Sequence, residues 1–224
     1  MERVLHRVNS PSRLRRGIAA RFDRAEVDLR YRRGRFVLSH DVPMGPWTLG
    51  RSGAEFVRSR FPPIHRKGRL ARLAELIDGD AIPLLIDLKG RWPRRGLAHL
   101  AESLRLRGRD EDAVASNHRR RLDRFGRIDP NRTRVYGLNR RRTRRLIRRL
   151  DPDDAPRAVS IDAALLDGRP GLLDALTGAN VAVYVWNIGR PDALTPLKRA
   201  GVAGAIFDDT GWVAAAGPRP AAAI

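Results

Sequence analysis

Residues 83–89, Pro-Leu-Leu-Ile-Asp-Leu-Lys, form an apolar, strand-like run that ends in two opposite charges, Asp87 and Lys89. Side chains alternate across a strand with period two, so Asp87 and Lys89 share one face. Outward from this stretch the pattern repeats, with apolar strand-like runs and helix-like stretches alternating from end to end. The runs number eight: Arg3 to Arg7, Ala25 to Arg30 with its continuation Arg35 to His40, Pro83 to Lys89, Ala113 to Ser116, Arg134 to Leu138, Ala158 to Ile161, Val181 to Trp186 and Gly204 to Phe207. A turn at Arg32-Arg33-Gly34 splits the second run and sends His40 outward on a hairpin-like return. Helix candidates lie between them at Ser12 to Arg21, Arg69 to Ile77, Arg94 to Arg107, Arg119 to Phe125, Arg140 to Leu150, Gly171 to Leu176 and Asp192 to Ala200. In the third of these, Leu97, Leu100, Ala101 and Leu104 fall at helical spacing and predict one buried stripe.

Such alternation is the signature of βα units, and eight of them predict a single α/β domain, a (β/α)₈ TIM barrel. A chain of 224 residues and 25.1 kDa fits one domain. That domain is placed at residues 1–212, with the Ala/Pro/Gly-rich tail 213–224 partly ordered. Residues 42–68, rich in Pro and Gly, are expected to be the one long irregular connection, a short insertion after the second strand that lies over the site. No internal repeat or heptad is evident, which removes solenoid and coiled-coil readings.

Composition narrows the classes further. No apolar run approaches the roughly 18 residues that a membrane span needs. The first strand-like run follows Met1 almost at once, leaving no room for a signal segment, so the expected address is cytoplasmic. The absence of cysteine excludes disulfides, thiolate metal sites and cysteine nucleophiles, and any metal must be held by Asp, Glu or His. A formal charge of +20 attracts anions of any kind, including nucleic acid, anionic lipid and small phosphates. Nearly all of it is arginine, Lys67, Lys89 and Lys198 being the only lysines, and that ratio reads as coding bias rather than a selected polyanion surface.

Four short polar groups sit at the ends of the apolar runs: His6-Arg7, Glu26-Val27-Asp28, His40-Asp41 and Asp87-Leu88-Lys89. In a barrel of this type, active residues gather at the carboxyl ends of the strands, where all four lie. Glu26 and Asp28 share one strand face. With Asp87 on another strand they form an oxygen-donor set that suits a hard divalent cation, although pairing with nearby arginines would also account for the first two. His6 and His40 flank these carboxylates, and imidazole titrates near a working pH, as general acid/base chemistry needs. His65, His99 and His118 lie away from the cluster and read as structural or surface residues. Arg7 and Lys89 are cations suited to phosphoryl oxygens. Asn9 and Trp186 are further candidates to line the pocket, Trp186 reading equally well as core.

Together these motifs resemble those of the glycerophosphodiester phosphodiesterase family, and the resemblance extends over almost the whole chain. Its closing part is Val181-Ala-Val-Tyr-Val-Trp186-Asn187 followed by Gly201-Val-Ala-Gly204-Ala-Ile-Phe-Asp208, similar to the family's last two strands with an aromatic at the pocket and a terminal Asp. The resemblance implies one divalent ion, Mg²⁺ or Ca²⁺, on Glu26, Asp28 and Asp87, with His6 and His40 as the acid/base pair. It further implies a small phosphodiester substrate, cleaved to glycerol phosphate and an alcohol by attack of the substrate's neighbouring hydroxyl, through a cyclic phosphate that water then opens. Two positions depart from the family pattern. Val8 stands where glycine is typical, and Asp87 stands where glutamate is usual, one methylene shorter in its reach. The 42–68 connection is also shorter than the family's capping insertion, which implies a more open site.

Two alternatives follow from the charge: a lysophospholipase D-like enzyme drawn to anionic membrane surfaces, or a catalytically vestigial barrel that binds polyanions. For the second, the place to look is Arg140-Arg141-Arg142 with Arg144, Arg145, Arg148 and Arg149. Leu138, Leu146, Ile147 and Leu150 can pack inward there while the arginines stay wet, the pattern of an ordinary solvated helix. No aromatic is interleaved to stack bases, which counts against nucleic acid as the partner.

Overall fold

A computed structural model describes residues 1–44, 47–49, 64–66, 71–78, 82–138, 156–167, 169, 171–188 and 193–208. Twelve strands occur among them: β1 (Glu2–Leu5), β2 (Arg24–Arg32), β3 (Arg35–Leu38), β4 (Val42–Met44), β5 (Trp47–Leu49), β6 (Ile64–Arg66), β7 (Leu84–Leu88), β8 (Ala113–Ser116), β9 (Arg134–Leu138), β10 (Ala158–Asp162), β11 (Ala182–Trp186) and β12 (Gly204–Phe207). Eight of these close into a parallel barrel in the order β1-β12-β11-β10-β9-β8-β7-β2, with β2 returning to β1. This is the expected (β/α)₈ barrel, with helices in the connections.

Two concentric apolar layers hold it. Val4, Leu85, Ala113, Ala115, Val135, Ala158, Tyr184 and Ile206 fill the barrel interior. The larger layer packs strands against helices and contains the predicted stripe, Leu97, Leu100, Ala101 and Leu104, on helix Arg94–Arg105. Each fully buried leucine there contributes roughly 1.5–3 kcal/mol. Near the amino end of the barrel interior, Arg24 donates to Glu2 from Nε (2.9 Å) and Nη2 (3.2 Å), and the Tyr184 hydroxyl donates to Glu2 at 3.3 Å. Tyr184 lies in register with Gly204, and a Cβ at that position would collide with its ring. Glycine there lets the ring cross the barrel.

Boundaries move for local reasons. Helix Pro11–Ala19 starts one residue before the expected Ser12, because Ser10 caps it, accepting from Arg13 N at 3.3 Å, and Pro11 suits the first turn. The expected turn in the second run is present: Arg33 (φ 50°) and Gly34 (φ 78°) are both left-handed, as a two-residue type I′ hairpin requires. Residues 71 and 72, expected to be helical, instead bond to β3, and the helix is confined to Ala74–Ile77. A short helix at Ala163–Asp167 was not expected. The 42–68 connection is less irregular than its Pro and Gly content suggests, because β4, β5 and β6 form a three-stranded antiparallel sheet. Each of those strands carries a β-branched or aromatic residue, which favours extended backbone. The arginine-rich segment 140–149 and the tail 213–224 lie outside the described residues.

Candidate active site

Every barrel strand runs the same way, so the polar groups at their carboxyl ends meet at one mouth. Glu26 and Asp28 face inward from β2, and Asp87 sits directly opposite Asp28 in the β2–β7 register. Carboxylate oxygens of Glu26, Asp28 and Asp87 all lie within 4.8 Å of one another. The expected three-residue set is thus brought to one point, although two of its members are buried.

Burying like charges this close is costly unless something offsets them. Lys89 does part of this, its Nζ lying 2.5 Å from Asp87 Oδ2 and 3.1 Å from Asp28 Oδ1. Burial works against the Lys89 charge, but Asp87, Asp28 and Glu26 outweigh it and raise the ammonium above its ordinary value. Burial, followed by the charge of Asp28, pushes the Glu26 carboxyl well above the usual carboxylate range. Burial also works to raise Asp28, but Lys89, the Asn9 amide and His40 together hold it below its ordinary value. Asp28 is 0% exposed, and its Oδ1 has no hydrogen-bond partner beyond that ion pair. A buried anionic oxygen met only by the Lys89 ammonium, beside two further hard oxygen donors, fits a divalent cation.

Each imidazole is held by a carboxylate. β1 stops at Leu5, but His6 N still donates to Phe207 O at 2.7 Å, and His6 Nδ1 lies 2.6 Å from Asp208 Oδ1. Its Nε2 lies 3.8 Å from Glu26. Burial lowers the His6 pKa against the opposing pull of Asp208. His40 Nδ1 is 2.9 Å from Asp41 Oδ1. Arg30 steadies that return, donating to Ser39 O at 3.0 Å and His40 O at 2.7 Å. Since a carboxylate only accepts, Nδ1 carries the proton in each pair and Nε2 is left for a substrate.

A cavity of about 320 Å³ opens here, lined by His6, Arg7, Glu26, His40, Asp87, Lys89 and Trp186 among others. Arg7 takes a left-handed turn (φ 52°) that lets its N–H donate to Glu26 Oε2 at 2.7 Å. Asn9, expected on the pocket wall, is instead engaged with Asp28: its Nδ2 donates to Asp28 Oδ2 at 2.8 Å, and its Oδ1 accepts from Asp28 N at 2.9 Å. It positions a carboxylate rather than facing the cavity. Val8, at the departure from the family pattern, is fully buried in the core. Sequence reasoning missed Ser116, Asn117 and Ser160, which also line the cavity. Uncharged and small, they carry little signal beyond their place, Ser116 and Asn117 at the carboxyl end of one short apolar run and Ser160 within another.

No protein-family model matches the chain, and no curated protein matches it. Solved structures do, and they show that the chain has the fold of glycerophosphodiester phosphodiesterases. The enzyme of that name from Agrobacterium tumefaciens str. C58 is 19% identical with a TM-score of 0.69, over 96% of this chain and 99% of its own. The one from Thermotoga maritima is 16% identical with a TM-score of 0.70, over 94% and 95%. An Oleispira antarctica phosphodiesterase, solved in complex with the product sn-glycerol-3-phosphate, is 14% identical with a TM-score of 0.71, over 96% of both chains.

Proposed function

We propose that this protein is a metal-dependent glycerophosphodiester phosphodiesterase, releasing glycerol phosphate and an alcohol. The observation that carries this reading is a cluster of three carboxylates, Glu26 and Asp87 on the cavity wall with Asp28 buried beside them, next to two carboxylate-held imidazoles and two cations that line the same cavity. Glu26, Asp28 and Asp87 would hold one Mg²⁺ or Ca²⁺, which when bound supplies Lewis-acid polarisation of the phosphoryl group. Arg7 and Lys89 bind the non-bridging oxygens and offset the negative charge that builds on them. One imidazole removes the proton from the substrate hydroxyl next to the phosphate, whose oxygen bonds to phosphorus. As the P–O bond to the alcohol breaks, the other imidazole gives that alcohol its proton. Water then opens the cyclic phosphate, with the two histidines in exchanged roles. Asp208 and Asp41 fix the tautomer and orientation of the rings and act as positioning residues. Trp186 forms part of the wall against which the glycerol moiety rests.

Steady-state turnover of glycerophosphocholine tests the assignment. His6→Ala and His40→Ala should each lower kcat by on the order of 10² or more, the usual scale of general acid/base assistance. Asp208→Asn keeps a partner beside the ring but can donate an amide hydrogen to Nδ1 and so favour the other tautomer, which should lower kcat with little change in KM. Wild-type turnover in both histidine variants would dismiss the acid/base roles.

A further inference from the structure

We infer that the corner of the barrel mouth over β2, β7 and β8 is a docking surface for an anionic lipid bilayer. Residues 31–39, 90–96 and 117–121 lie at or beyond the carboxyl ends of these neighbouring strands, and between the acids that bound them, such as Asp41 and Asp123, they contain nine arginines and no Asp or Glu. Arg33, Arg35, Arg91, Arg94, Arg95 and Arg120 are exposed. A coding bias toward arginine explains the number of guanidinium groups but not the missing acids. At the amino end of the barrel the connections are mixed, as in Arg107-Gly-Arg-Asp-Glu-Asp112 and Arg127-Ile-Asp-Pro-Asn-Arg132.

The three segments form one corner. Tyr31 on the hairpin stacks on Trp92 with ring centroids 5.8 Å apart, and Phe36 lies 4.5 Å from His99 on helix Arg94–Arg105. Gly96 leaves room for the Tyr31 ring, since a Cβ there would come within 2.7 Å of it. Arg121 donates to Leu88 O at 2.5 Å, to Gly90 O and to Ser116 Oγ at 3.1 Å, which ties the segment after β7 to the segment after β8.

Chemistry selects the partner. Guanidinium groups pair with phosphate oxygens, and a bilayer presents these as a plane, as a rim of exposed arginines does in complement. Single-stranded nucleic acid would need free rings on which bases stack, whereas the rings here stack on one another. The exposed large hydrophobic side chains among the described residues, Met1, Ile18 and Leu106, belong to segments at or running toward the amino end of the barrel, away from the mouth. What the described residues of this corner offer a bilayer is therefore electrostatic attachment. Charges act over only about 8 Å at physiological ionic strength, so the local patch rather than the net charge of the chain decides which face meets the bilayer. The cavity mouth opens beside it. This inference rests on charge placement and not on the proposed reaction.

Co-sedimentation of the whole chain with vesicles tests it without reading turnover. Binding is expected to vesicles of one part phosphatidylglycerol to three of phosphatidylcholine, and not to phosphatidylcholine alone. It should weaken at least about tenfold when salt rises from about 50 to 300 mM. The triple variant Arg91→Gln, Arg94→Gln, Arg95→Gln should lower the partition coefficient by about tenfold or more. The hairpin variant Arg33→Gln, Arg35→Gln, on a separate element, should also lower it. A control losing the same charge elsewhere, Arg16→Gln, Arg105→Gln, Arg107→Gln, should change it less than about twofold. Equal losses in patch and control variants, no binding to the anionic vesicles, or tighter binding of an oligonucleotide through the same arginines would each overturn the proposal.

Discussion

Stripped of divalent cation by a chelator, the protein is expected to lose phosphodiester hydrolysis, and magnesium or calcium should restore it. The reason lies in the charge balance at the mouth. Three carboxylates crowd within 4.8 Å, while one ammonium, Lys89, contacts only two of them. Asp28 Oδ1 is left buried without a hydrogen bond, and the Glu26 carboxyl is driven toward its neutral form. A cation bound to these oxygens would relieve both. Asp28→Ala should reduce turnover by on the order of 10³ or more, because Lewis-acid stabilisation is worth several kcal/mol and about 1.4 kcal/mol is tenfold. It should also abolish the rise in Tm that added cation gives the wild type. Asp87→Glu, which lengthens the side chain by one methylene, should preserve or raise activity. Full activity in excess chelator would end the metal assignment.

The second large effect is carried by the substrate. A diester with a free hydroxyl beside the phosphate, such as glycerophosphoethanolamine, should be cleaved, and its deoxy counterpart should not. A hydroxyl already tethered near phosphorus has an effective concentration of up to roughly 10⁵ to 10⁸ M in well-oriented cases. Removing it should therefore cost kcat far more than affinity, which a comparison of kcat with the inhibition constant of the deoxy compound reads directly. Equal turnover of the two compounds would point to water as the nucleophile in the first step.

Much of this architecture was legible because periodicity and position carry it. The runs at 113–116, 134–138 and 204–207 coincide with β8, β9 and β12, each a short apolar stretch bounded by polar residues. The carboxylate cluster was legible for a similar reason. Glu26 and Asp28 share a face by strand alternation, and register places Asp87 beside them. Less legible were features that depend on contacts distant in sequence. In the sequence Asp208 reads only as a terminal Asp, because its hydrogen bond to His6 spans 202 residues. Asn9 reads as a polar residue near a motif, yet which way its amide turns is decided by Asp28, 19 residues on. Residues 71 and 72 read as helical from their neighbours, but bonds to β3 draw them out of the helix. The basic corner was hidden by a different cause. Arginine is frequent throughout the chain, and only the barrel topology shows that three segments without acids lie side by side.

The most direct test of the proposed reaction is phosphorus NMR of the metal-loaded wild-type protein with glycerophosphocholine, followed through time. The diester signal should give way to glycerol phosphate, with a transient cyclic phosphate signal between them that accumulates in whichever histidine variant slows ring opening. An unchanged diester signal, from protein that demonstrably binds the cation through Asp28, would contradict the account.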